Sequence, residues 1–381
     1  MKKTLFAAGL ALTMLTACAP QQKKEALTMS GLNPAKFETT IDGTKQVHLY
    51  TLKNKAGMEV CITNFGGRIV SIMVPDKNGD FKDVVLGFDS IADYQNVPSD
   101  FGAIIGRYAN RIALGKITID GDTIQLPTNN YGHCLHGGPQ GWQYAVYDAT
   151  QPDSTTLQLA MVSPDGDMNF PGNVTVNVTY KLTEDNGIDI DYNATTDKKT
   201  VINMTNHSYF NLNANPSAAT MDGILYVAAD SITPVDSTFM TTGDMMAVEG
   251  TPFDFRTATP LTDRINASDN EQIKFGRGID HNFVLTTKGD DTKPAAKLVS
   301  PVTGISLTVY TNEPGIQVYT GNFLDGTVTG KRGTVYPQRA AVCLETQHYP
   351  DTPNKPQWPT AYLEPGQKYH SHCIFKFGVE K

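Results

Sequence analysis

NVTVNVTYKL, Asn173 to Leu182, is followed after the four residues TEDN by GIDIDYNA, Gly187 to Ala194. Apolar and polar side chains alternate along both runs, the period of a strand with one face buried. Asn186-Gly187 falls between them, and Asn-Gly is the dipeptide best suited to a tight hairpin turn. Two long neighbouring strands are therefore expected to pair antiparallel. The same grammar recurs outward in both directions. VHLYTLK at 47–53, RIVSIMV at 68–74 and ISLTVYT at 305–311 read as strands, and Asn78-Gly79 and Asp120-Gly121 as further hairpin turns. Helical periodicity is nearly absent, apart from a short turn expected around Ser90 to Gln95, so alternating strand–helix architecture is excluded. The expected fold is all-β: a large antiparallel β-sandwich. No Pro/Ser linker follows residue 40 and no repeat of 20–50 residues is present. One domain is expected over 37–381.

The start of the chain reads differently. Lys2 and Lys3 precede an apolar run from Leu5 to Leu15 that is shorter than the ~20 residues a membrane span needs, the pattern of an export signal. It ends in Leu15-Thr16-Ala17-Cys18, which resembles a bacterial lipobox. The expectation is a lipoprotein signal at 1–17, lipidation of Cys18, a flexible tether at 18–36, and an exported protein held on the cell envelope, periplasmic or outer-membrane attached, through that lipid alone.

Composition narrows the partners. Removing Lys2 and Lys3 takes the net charge from −8 to −10, and the remaining basic residues are scattered, which argues against nucleic acid. Cys61, Cys134, Cys343 and Cys373 show no Cys-x-x-Cys spacing, so buried free thiols are expected rather than zinc or redox work. Asp165, Asp167 and Asn169 alternate like the start of a calcium loop, but Phe170 and Val176 stand where an EF-hand needs Gly and Glu. A structural Ca2+ is the one ion this leaves open.

Chemistry concentrates in a few segments. NHSYFNL, Asn206 to Leu212, places His207 in an aromatic, strand-like stretch where a core has little use for an imidazole. LHGG carries His136, GIDHNF carries Asp280, and CLETQ carries Glu345 where an apolar strand ends. GRYANRI supplies Asn110 and Arg111, an amide beside a fixed cation able to grip a carboxylate or hydroxyls. A metal hydrolase using His133, His136, His207 and His281 lacks an HExxH helix. A glycosidase pairing Asp280 with Glu345 would have no use for a proton-donor histidine. A sugar-binding module would not need Glu345 and His207 together.

Taken in order, GRYANRI, LHGGPQGW, the long segment ending in NHSYFNL, FDFR, GIDHNFVL, PGIQVYTGNFLDG, CLETQHYPDTPNKPQWP and LEPGQKY resemble the galactose mutarotase (aldose 1-epimerase) family from about Lys45 to Phe377. The resemblance implies a β-sandwich that interconverts the α and β anomers of free aldohexoses such as galactose and glucose, without a cofactor. It implies Glu345 as general base, His207 as general acid and His136 assisting near the ring oxygen, with Asn110, Arg111, Asp280 and Gln317 binding hydroxyls. Glu345 is expected ionised and His207 protonated, each favouring the other's charge. Phe323 and Tyr209 could cover a sugar face, though core packing is the plainer reading. A monomer is expected.

Overall fold

The computed structural model describes residues 26–380. The lipobox, Cys18 and the export signal lie outside the described residues. Three antiparallel sheets carry the fold, of nine, five and four strands. In the largest, Val174–Leu182 pairs with Gly187–Thr196 over nine residue pairs, from Val174↔Thr196 to Leu182↔Ile188. Val174, Val176, Val178, Tyr180 and Leu182 are all buried while Thr175, Asn177 and Lys181 are exposed, so the alternation sorts core from solvent as read. The turn residue Asn186 takes a φ of 65°, the left-handed region asparagine tolerates. Asp120 and Gly121, at φ 53° and 92°, close the hairpin between Lys116–Ile119 and Asp122–Gln125 in the same way.

The last strand, Tyr369–Val379, lies between Gly187–Thr196 and Ile305–Thr311 and is hydrogen-bonded to both. One apolar cluster accordingly runs from Leu52 to Phe377 and joins the inner faces of all three large sheets. The short helix Ile91–Asn96 starts where expected, with Ser90 accepting from the Asp93 N–H. Thr262–Ile265 and Glu271–Gly276 are also helical, and pieces of one or two turns are too short to impose a readable period.

Residues 28–36, read from the sequence as part of a flexible tether, are packed on the sheets. From Thr28 onward the chain is docked: the Met29 N–H donates to Glu59 at 2.6 Å, Ser30 bonds Ser71 at 2.9 Å, and Leu32 is 1% exposed. Leu32 and Phe37 are the anchors that polar composition concealed, both packed in a second apolar cluster. Cys61, Cys134, Cys343 and Cys373 are buried free thiols. Among the described residues no helix is long and apolar enough to cross a membrane.

Candidate active site

The five-stranded sheet sets the floor of the site. Its strands Asp280–Leu285, Gly315–Tyr319 and Cys343–Gln347 lie side by side, with Asp280 opposite Tyr319 and Gln317 opposite Glu345. Residues directly opposite in antiparallel strands share a face. Asp280, Gln317, Tyr319 and Glu345 therefore share one face, while Phe283, Ile316, Val318 and Leu344 pack into the main core from the other. A polar, fully covered sheet face is costly unless something is to be bound there.

That face opens into a cleft of about 350 Å³ lined by Asp100, Asn110, Arg111, Asn130, Tyr131, Leu135, His136, His207, Tyr209, Asp280, Tyr319, Phe323 and Glu345. Six of the seven expected catalytic and binding residues line it together. Gln317 does not. It lies beneath the wall, 3% exposed, and its Nε2 donates to Asp280 Oδ1 at 2.7 Å, so it orients Asp280 rather than reaching into the cleft.

His207 is placed by its backbone: its N–H donates to Ala103 O at 2.9 Å, and its carbonyl accepts from Gly102 N at 3.0 Å. Its ring stacks on Tyr209, with centroids 5.0 Å apart and planes at 17°. Nε2 stands 3.5 Å from Glu345 Oε2. Among the described residues neither side chain has a hydrogen-bond partner for its buried His207 Nδ1 or Glu345 Oε2. The expected mutual charging gives way to desolvation. Burial pushes the Glu345 carboxyl well above its usual range, with Asp280 and Asp100 adding to the rise and Arg111 opposing it. Burial holds the His207 imidazole below its usual value against the pull of Asp100 and Asp280. Burial thus biases a proton on the pair toward Glu345 and away from His207.

His136 is locked by reciprocal backbone bonds. Its Nδ1 accepts from the Asn110 N–H at 3.1 Å, and its own N–H donates to Asn110 O at 3.1 Å. The acceptor role of Nδ1 leaves the proton on Nε2, and burial lowers the ring's pKa to about 3, so His136 is a neutral donor. Gly137 lets the two loops touch: a Cβ there would meet Gly106 O at 2.2 Å. Arg111 donates from Nε to Asn130 Oδ1 at 3.1 Å and lies over the Phe239 ring at 5.1 Å, leaving its other nitrogens for the cleft. Phe323, 41% exposed and stacked on Tyr319, sits at the cleft edge rather than in the core.

Sequence reasoning missed Asp100, Asn130 and Tyr131, which sit in loops without a motif of their own. His133 and His281 are excluded as partners of this site. His133 accepts from Leu114 N and bonds Thr238, while His281 accepts from Asp280 N and bonds Gln272. Asp165, Asp167 and Asn169 are likewise engaged separately, with Lys198 and Gly172 N, with Ser163, and with Gln125 O.

Residues 48–376 match the aldose 1-epimerase family. Galactose mutarotase of Rattus norvegicus is 42% identical over 323 residues, covering 84% of this chain and 92% of that protein. Aldose 1-epimerase of Escherichia coli is 39% identical over 335 residues, covering 87% and 95%. Among solved structures, an aldose epimerase homologue from C. elegans superposes with a TM-score of 0.81 at 30% identity, covering 88% of this chain and all of that one. Galactose 1-epimerase from Lactobacillus acidophilus gives 0.79 at 30% identity, with 90% and 98% covered.

Proposed function

The chain belongs to the aldose 1-epimerase family, and from that premise we propose that Glu345 and His207 are the proton-transfer pair with which it interconverts the anomers of an aldohexose. The protein is an isomerase, and its reaction needs no cofactor. Ring opening removes the proton of the anomeric hydroxyl and protonates the ring oxygen, so that the C1–O5 bond breaks to an open-chain aldehyde. Rotation about C1–C2 presents the other carbonyl face, and reversal of the two transfers closes the opposite anomer. The reactive form is the one with the proton on His207, across the 3.5 Å gap from an ionised Glu345. Glu345 then takes the hydroxyl proton and His207 delivers its own to the ring oxygen, with neutral His136 donating a hydrogen bond from Nε2 beside it. Each closure restores the starting protonation, so one proton on the pair suffices for both directions.

The observation that carries this assignment is the 3.5 Å approach of His207 Nε2 to Glu345 Oε2 in the wall of a sugar-sized cleft that both residues line. Asp280, held by Gln317, and Arg111 and Asn110 offer acceptors and donors to hydroxyls. Galactose and glucose are the proposed substrates. Pure α-galactose or α-glucose is dissolved and optical rotation followed; the protein is expected to speed relaxation to the same final rotation, and an unchanged rate with both sugars from folded protein overturns the reading.

Lys2, Lys3, the apolar run and LTAC support export with a lipid on Cys18, on the periplasmic or outer-membrane side of the envelope. Labelled palmitate should enter the wild-type chain and not Cys18→Ala. We also propose that the protein works as a monomer; light scattering on the purified protein tests this, and a dimer mass overturns it. A structural calcium ion forms no part of this reading, since Asp165, Asp167 and Asn169 have other partners.

A further inference from the structure

We propose that Asp100, His136 and His207 form a site for a transition-metal cation, Zn2+ or Cu2+, at the cleft wall, and that metal bound there competes with sugar. One ligand atom from each residue lies within 4.8 Å of the other two. Two imidazoles and a carboxylate suit borderline divalent cations and not calcium or magnesium, which prefer oxygen. Both rings are buried in a neutral-favouring setting, the form that coordinates. His136 has its Nδ1 committed to the Asn110 N–H, which orients Nε2 as its ligand atom, the outer-shell bond that metal-binding histidines use. His207 has a buried Nδ1 without a hydrogen-bond partner among the described residues, so its ring has bonding capacity unspent.

Asp100 is the adjustable member. It is half-buried, while the loop that carries it is fixed on both sides. Arg68 donates to Ser99 O at 2.9 Å and to Phe101 O at 3.0 Å, and Gly102 and Ala103 are bonded to the His207 backbone. The backbone thus holds the carboxylate near the rings, and rotation of the side chain can bring it closer. Zinc–ligand bonds of about 2.0–2.2 Å in a tetrahedral site put the ligand atoms roughly 3.3–3.6 Å apart, so binding draws the three groups together by about an ångström. Since His136 and His207 also face the sugar, the metal and the substrate exclude each other. This last point rests on the mutarotase reading; metal binding itself does not.

The test titrates tag-free protein with ZnCl2 by calorimetry, with and without saturating galactose, and follows mutarotation by polarimetry at the same zinc concentrations. One Zn2+ per chain, weakened by galactose, with inhibition reversed by EDTA, is expected. Asp100→Ala should weaken zinc binding by at least about tenfold. Cys343→Ser should leave it unchanged, because the alternative group of His207, Cys343 and Glu345 is then not the site. Saturable zinc binding that survives Asp100→Ala, binding lost in Cys343→Ser, or binding indifferent to galactose in an active enzyme overturns the proposal. Zinc binding by a protein that fails to catalyse mutarotation overturns the function and spares the metal site.

Discussion

Two histidine–glutamate pairs, His348–Glu313 and His207–Glu345, are built in opposite ways. His348 Nδ1 is 2.7 Å from Glu313 Oε2, and Glu313 Oε1 takes a further contact from Tyr369 OH at 3.5 Å. His207 and Glu345 are held 3.5 Å apart by separate strands, each with a buried atom left unpartnered. The first pair is closed: burial opposes the charge on His348, yet Glu313 and its hydrogen bond raise the imidazole above its ordinary value. In the second, burial prevails and His207 is lowered. Contact distance separates the two outcomes, and with them a pair that stabilises the fold from one that keeps its bonding capacity for a ligand.

The largest effect should come from the open pair. Glu345→Gln and His207→Asn should each lose about 10²–10⁴-fold in kcat, with much less than the summed loss in the double variant. Polarimetry of the three variants checks this, and a wild-type rate from either single variant removes that residue from the chemistry.

Breaking the closed pair should do the converse. Glu313→Gln should cost about 3 kcal/mol of stability by urea denaturation, while activity per folded molecule stays near wild type. The sign with pH follows from His348. Its folded pKa lies above the unfolded value, so its contribution is full below about pH 6.5 and fades as pH rises through the folded value. A Glu313→Gln deficit that grows with pH contradicts that account.

Gln317 tests the layer between them. Gln317→Leu removes the 2.7 Å bond to Asp280 and should cost about 1.5 kcal/mol, read mainly as a higher KM. A loss confined to kcat would place Gln317 in the proton transfer instead.

The smallest effect is expected at a partly exposed triad whose residues do not line the cleft. His372 meets Asp189 at 3.0 Å and Asp291 at 2.8 Å, which raise its pKa to about 9. After solvent screening, His372→Gln should cost about 1 kcal/mol or less near pH 6. The difference should vanish as pH passes about 9, because a raised histidine contributes only while protonated. Thermal unfolding at the two pH values measures it.

The long strands were legible because alternation and Asn-Gly turns are local signals, and Val174–Leu182 with its partner is the clearest case. Glu345, His207, His136, Asn110, Arg111 and Asp280 were legible as a set through ordered motifs, and the structure brings all six to one cleft. Gln317 was placed one layer too far forward, since sequence cannot tell a residue in a wall from one behind it. Asp100 was invisible, because only the pairing of its loop with the His207 backbone brings it near. Leu32 and Phe37 were hidden in a polar stretch, two anchors without periodicity. The ionisation of the pair was misjudged for the same reason: neighbours can be guessed from motifs, but desolvation depends on everything that covers them.

The pH dependence of kcat/KM for galactose mutarotation, corrected for the uncatalysed rate, tests the shared proton most directly. The account predicts a bell: an acid limb below the ordinary imidazole value of about 6.5, where the pair gains a second proton, and an alkaline limb well above the ordinary carboxylate range, where it loses its only one. A rate that keeps rising as pH falls, or that is flat on both sides of neutrality, would contradict it.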